Sequence, residues 1–194
     1  MNKDKTAIMV VLDRSGSMGY VSKSVKEGFD AFVAEQRKLP GIATLTLVQF
    51  DDVYEVVYLN KPLEEVPALV HEPRGGTALL DALGRGVLEL EADIAKLAEA
   101  SRPARVLVLV MTDGAENSSK EFNHARVLEL VGAKRAAGWE FAFIGANIDA
   151  FAAGNVLGFA HAQQFDASAK GVRSAYQVVN SSVANYRSGG GYKP

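Results

Sequence analysis

Two runs in this chain are apolar almost without interruption: Thr6-Ala7-Ile8-Met9-Val10-Val11-Leu12 and Val106-Leu107-Val108-Leu109-Val110. A strand with one wet face alternates apolar and polar residues, whereas a strand that is apolar throughout is buried on both faces. Strands of that kind belong to mainly parallel sheets covered by helices on each side. The two runs therefore restrict the fold to a layered α/β architecture.

The remaining segments supply those layers. Val21, Val25, Phe29, Phe32, Val33 and Leu39 recur at helical spacing and stop at Pro40-Gly41. Ala43 to Phe50 and Val53 to Leu59 read as strands joined by Asp51-Asp52, a connection short enough to force an antiparallel hairpin. Residues 78–100 carry a leucine-rich helical stripe, with Gly84 and Gly86 weakening or breaking it. A helix over 121–137, with Phe122, Val127, Leu128, Leu130 and Val131 inward, leads to a strand over 139–144. A short helix over 149–157, a weak edge strand over 160–165 and a last helix over 169–186 complete the pattern. Strands alternating with helices predict a doubly wound, mainly parallel six-stranded sheet with one antiparallel strand and helices on both faces. The expected organisation is one domain over 1–187, followed by a flexible glycine-rich tail over 188–194.

Both central runs end abruptly in polar residues. The first stops at Asp13-Arg14-Ser15-Gly16-Ser17 and the second at Thr112-Asp113-Gly114, while Arg74-Gly75-Gly76-Thr77 opens the leucine-rich helix. Parallel strands present such residues at their carboxyl ends, where ligands of open α/β sheets sit. Residues 13, 15 and 17 share a face in extended backbone, which lets one carboxylate and two hydroxyls converge. Three hard oxygen donors suit Mg²⁺, Mn²⁺ or Ca²⁺; an Asp-Ser turn capping the next helix is the plainer reading of that stretch alone.

Taken together, Asp13-x-Ser15-x-Ser17, Gly75-Gly76-Thr77 and Thr112-Asp113-Gly114 resemble the metal-ion-dependent adhesion site (MIDAS) of von Willebrand factor A (VWA) domains, and the resemblance covers nearly the whole chain. It implies that Ser15 and Ser17 ligate the ion through hydroxyls, with Thr77 ligating directly or through water. Asp13 and Asp113 would mostly hold metal-bound waters. The under-neutralised cation, Mg²⁺ as first choice, would then accept an Asp or Glu carboxylate of a partner protein. Small intracellular bacterial or phage VWA proteins, which this sequence resembles, act as adaptors, including with AAA+ ATPases in assembly or stress responses. The chain departs from the family at Gly145-Ala146-Asn147, where relatives often read Gly-x-Gly, and this bears on the shape of the rim.

Other residues near the motifs receive local readings. Arg14 is expected to point outward and select partners by charge, and Asp51 and Asp52 to be turn residues. Asp81 is assigned to a favourable helix N-terminus rather than to the ion's surroundings. Glu116 and Asn117 are left between binding rim and solvent. His71, His124 and His161 lack the spacing of a zinc site or general base and read as ordinary loop or surface residues. No Gly-x-Ser-x-Gly, phosphate-binding loop or dinucleotide fingerprint is present, so binding without catalysis is the expectation, and a metal-dependent hydrolase using the same cation is the alternative.

Composition narrows the remaining classes. The 194 residues, 48% hydrophobic and 23% charged, carry a net charge of −2, which gives no electrostatic case for nucleic acid. No apolar run approaches the roughly 20 residues that span a bilayer. Cysteine is absent, which excludes disulfides, Cys-ligated zinc and thiol catalysis. Met1 to Lys5 lead straight into a strand with no leader pattern, so a cytoplasmic location is expected and the Asn-x-Ser matches at Asn117 and Asn180 are read as chance.

Overall fold

The apolar runs become neighbouring central strands. In the computed structural model, which describes residues 1–146 and 149–194, the elements follow in the order β1 (Asn2–Asp13), α1 (Ser22–Arg37), β2 (Ile42–Phe50), β3 (Tyr54–Pro62) and α2 (Leu79–Lys96). They continue with β4 (Pro103–Thr112), α3 (His124–Ala136), β5 (Glu140–Ala146), α4 (Ala150–Val156), β6 (His161–Phe165) and α5 (Ala169–Arg187). The six strands form one sheet in the order β3-β2-β1-β4-β5-β6, with every pairing parallel except β2 with β3. This is the predicted doubly wound α/β sheet with one antiparallel strand.

Alternation along β1 assigns the two faces. Ile8, Val10 and Leu12 pack with α1 and α5, and Ala7, Met9 and Val11 pack with α2 and α3. From β1 the chain crosses to β2 on one side of the sheet, and β4 lies on the other side of β1. That reversal between β1 and β4 opens a crevice at their carboxyl ends. Leu12 is level with Met111, and Asp13 with Phe50, so the polar segments after β1, β2 and β4 leave the sheet on one rim.

Four local expectations change. Helix α2 runs unbroken through Gly84 and Gly86, because both are contact points: a Cβ would stand 2.3 Å from the Phe122 ring at Gly84 and 2.3 Å from Met9 Cε at Gly86. Helix α3 starts at His124, capped by Asn123, whose side chain accepts the Arg126 N–H at 3.0 Å. Leu128 turns to solvent, while Val127 and Val131 carry the buried face. The 188–194 segment folds back onto the domain. Tyr192 is 2% exposed and sits in the α1–α5 core, and Ser182 Oγ donates to the Lys193 carbonyl at 2.5 Å. Burial of this aromatic ring offsets part of the segment's ordering entropy. Gly145 and Ala146 end β5, and Asn147, the third residue of the expected rim turn, lies outside the described residues.

Candidate metal centre

The three polar stops meet on the rim. Ser17 Oγ donates to Asp113 Oδ1 at 2.6 Å and lies 3.1 Å from Ser15 Oγ, joining the segment after β1 to the segment after β4. Thr77 Oγ1 and Ser17 Oγ both rest against Gly114, 3.3 and 3.7 Å from where a Cβ would stand, so a side chain at 114 would crowd both hydroxyls. Ser15, Thr77 and Asp113 are buried and Ser17 is exposed, giving the cluster one open side.

Asp13 forms the floor. Its Oδ1 accepts the Ser15 N–H at 2.6 Å and its Oδ2 accepts the Thr112 hydroxyl at 2.5 Å. Burial pushes its pKa up to about 6 against the opposing pull of the Thr112 and Ser15 hydrogen bonds, and Asp113 adds to the rise. A carboxylate destabilised in this way is one that a cation would relieve.

The donor set fits a hard cation: two carboxylates and three hydroxyls, with no nitrogen or sulfur. The 2.6 and 3.1 Å separations around Ser17 Oγ bracket the roughly 3 Å between adjacent oxygens of an octahedral shell with bonds of about 2.1 Å. Among the described residues no three His, Cys, Asp or Glu side chains cluster as a conventional metal site. Any ion at this rim would meet more hydroxyl than carboxylate side chains.

Neither a family model nor a curated protein matches the sequence. Solved structures do resemble the fold. The D319A mutant of the PilB minor pilin from Streptococcus sanguinis superposes with a TM-score of 0.69 at 11% identity, covering 96% of this chain and 62% of that one. Proximal thread matrix protein 1 from the mussel byssus, solved with a zinc-occupied MIDAS motif, gives 0.64 at 17% identity over 92% of this chain and 46% of its own. The vWF domain of the type V pili tip protein Mfa5 from Porphyromonas gingivalis gives 0.62 at 13% identity, with 92% and 94% covered. The fold is that of a von Willebrand factor A domain. This chain spans less than two thirds of the first two neighbours' lengths.

On this VWA fold the loops bearing Ser15 and Thr77 are fastened by residues that sequence reasoning placed elsewhere. Arg14 does not point outward. It is 7% exposed, its Nε donates to Asp51 Oδ2 at 2.7 Å, and its Nη1 reaches Glu55. Asp51 is more than a turn residue: it is fully buried and also takes Arg74 Nε at 2.9 Å and the Val53 N–H at 2.6 Å. Burial acts to raise the Asp51 pKa, but the hydrogen bonds from Arg74 and Arg14 hold it below the usual carboxylate range. Main-chain bonds finish the join: Arg74 N to Arg14 O, Gly16 N to Gly75 O, and Ala78 N to Asp51 O, at 2.8, 3.2 and 2.8 Å. Gly75 has φ +64°, a left-handed conformation that favours glycine.

The loop after Asp113 is fastened from the other side. Asn117 brackets Thr77, accepting its N–H at 2.9 Å through Oδ1 and donating its own N–H to the Thr77 carbonyl at 3.0 Å. Glu116 accepts the Leu80 N–H at 2.9 Å, supplying one of the unpaired amides at the start of α2 with an acceptor. Asp81 lies in the first turn of α2, as expected, and has a second role. It accepts the N–H groups of Lys120, Glu121 and Phe122 at 2.8 to 2.9 Å, which overcome burial and keep its pKa low. His71 is a loop residue, as expected, but a buried one: it is 4% exposed, its Nε2 donates to the Asp13 carbonyl at 2.9 Å, and Nδ1 faces Ser22 Oγ at 3.0 Å. Burial holds the His71 pKa below its ordinary value. Only the clustering of acids and arginines near the motif strings could have hinted at these roles.

Proposed function

We propose that this chain is a divalent-cation-dependent protein-binding module that captures an acidic side chain of a partner. The observation that carries the reading is Ser17 Oγ, set between Ser15 Oγ and Asp113 Oδ1 at the open rim. Ser15, Ser17 and Thr77 would hold the ion through neutral oxygens, with Asp13 and Asp113 beside them. The bound ion supplies a Lewis-acidic seat that few anionic donors have neutralised, so an incoming Asp or Glu carboxylate completes its shell. Mg²⁺ is the proposed ion, with Mn²⁺ and Ca²⁺ as chemically similar substitutes; a VWA-fold neighbour solved with zinc in its MIDAS motif supports a metal in this position.

Binding is favoured over hydrolysis by the state of the nearest histidine. Both ring nitrogens of His71 are engaged and its ring is buried, leaving it poorly placed to activate water. No helix of the described residues is long and apolar enough to cross a membrane.

Calorimetric titration of metal-stripped protein with Mg²⁺, Mn²⁺ and Ca²⁺ tests the reading. One-to-one binding in wild type, lost in Ser15→Ala and in Asp113→Ala, is the expected result. Absence of binding by all three ions, or undiminished binding in both variants, refutes it.

A further inference from the structure

We infer that the partner's metal-seeking carboxylate has a bulky apolar neighbour in the same chain, and that this neighbour's side chain enters a cavity beside the candidate ion site. The inference rests on the cation-binding reading above. The cavity, about 300 Å³, lies between the start of α2, the loop after β4 and helix α4. That volume is at the lower end of ligand pockets, roughly 300–1,000 Å³.

Gly114 makes the cavity and the ion site one surface. It lines the cavity, and it is also the residue against which Thr77 Oγ1 and Ser17 Oγ rest. A carboxylate seated on the ion would leave its flanking residue within reach of this opening. The floor is the core itself, formed by Leu79, Leu80, Phe143 and Leu157, each at most 4% exposed. The mouth is cut by two small exposed residues, Ala115 and Ala152, and Val156 at its edge is 52% exposed.

Two polar side chains line the cavity, Glu116 and His124, and His124 is exposed at the start of α3. Glu116 lines the cavity, but its carboxylate already accepts four hydrogen bonds, from Leu80 N, Ser118 N, Ser119 N and Ser119 Oγ. A second acid on the partner would meet Glu116 on this side and Asp52 beside Gly75 on the other. The same rim carries Tyr20, Val53 and Val70, which are 96%, 52% and 66% exposed. One carboxylate with apolar neighbours therefore fits this rim.

The test is calorimetric titration of Mn²⁺-loaded protein with three capped pentapeptides, Gly-Leu-Asp-Leu-Gly, Gly-Ala-Asp-Ala-Gly and Gly-Leu-Asn-Leu-Gly. Burial of one leucine side chain predicts roughly tenfold or more tighter binding of the first than of the second, and loss of binding in the third. Ala115→Trp and Ala152→Trp, both at exposed positions, are expected to fill the mouth and abolish the leucine preference while leaving Mn²⁺ affinity unchanged. Failure of Mn²⁺ to bind overturns the cation reading and this one with it. Mn²⁺ binding with equal affinity for the first two peptides overturns this inference alone, as does a preference that survives in both filled variants; Mn²⁺ binding with no affinity for either peptide overturns carboxylate capture together with this inference. Sedimentation that finds a wild-type dimer and monomeric tryptophan variants also overturns it, because the cavity would then belong to a second copy.

Discussion

Asp51→Ala separates a fastening role from a turn role. The Asp51 carboxylate is fully buried, and the Arg14 side chain it pairs with is 8% exposed. Removing the acid leaves that guanidinium desolvated, with the half-exposed Glu55 as its remaining partner and with Arg14 Nη2 already lacking a hydrogen bond among the described residues. Breaking a buried pair from one side costs about 3–5 kcal/mol. Glu55 retains part of the charge balance, and Arg74, 58% exposed in its side chain, adds little, so about 3 kcal/mol is expected. For a chain of this length that lowers the melting temperature by roughly 6–12 °C. Because Asp51 ties the Ser15 and Thr77 loops together, Mg²⁺ affinity should also fall by about 10–100-fold, as for other residues that orient ligands. Arg14→Leu combined with Asp51→Leu removes both charges and should recover most of the stability but not the affinity. Thermal melts and calorimetry on the wild type and these variants measure both quantities. A single mutant melting within 2 °C of wild type, or a double mutant no more stable than the single, would refute the reasoning.

Two further predictions use other parts of the molecule. Asp13, with its pKa raised to about 6 against 3.8, binds a proton in the native state that the unfolded chain has lost. The metal-free protein should therefore lose up to about 3 kcal/mol as the pH rises through that window, while Mg²⁺ affinity, which needs the carboxylate, rises over the same range. Urea unfolding and calorimetry at pH 4.5, 5.5 and 7.5 check both signs, and a pH-independent affinity counts against the assignment. Tyr192→Ala deletes a ring that is 2% exposed and should destabilise the domain by about 3 kcal/mol, read from the urea midpoint. A change below 0.5 kcal/mol would mean that the 188–194 segment does not contribute to the core.

Much of the site was legible as strings because its residues are local to strand ends. Asp13, Ser15 and Ser17 follow one apolar run, Asp113 follows another, and Thr77 precedes a helix, so knowing the sheet places them on one rim. Arg14, Asp51, Asp81 and Asn117 were misplaced or left open for one reason. Their cross-loop partners lie 23 to 41 residues away in the chain, and no short spacing encodes which side chain meets which. Leu128 shows the same limit in the core: helical periodicity nominates a face several residues wide, and only the neighbouring elements decide how much of it they cover.

The sequence alone determined the layered α/β class and the parallel centre, because short apolar runs rich in β-branched residues, alternating with amphipathic helices, are buried on both faces of a parallel sheet. It also determined the hairpin, because a join of two residues in the sequence reading, three in the structure, permits only an antiparallel return. Tertiary structure decided the rest: that Arg14 turns inward to a buried carboxylate, that Gly84 and Gly86 are points of close approach, and that Tyr192 brings the tail back to the core. Each of these depends on a burial cost balanced by a partner distant in the chain, and that balance exists only once the layers have closed.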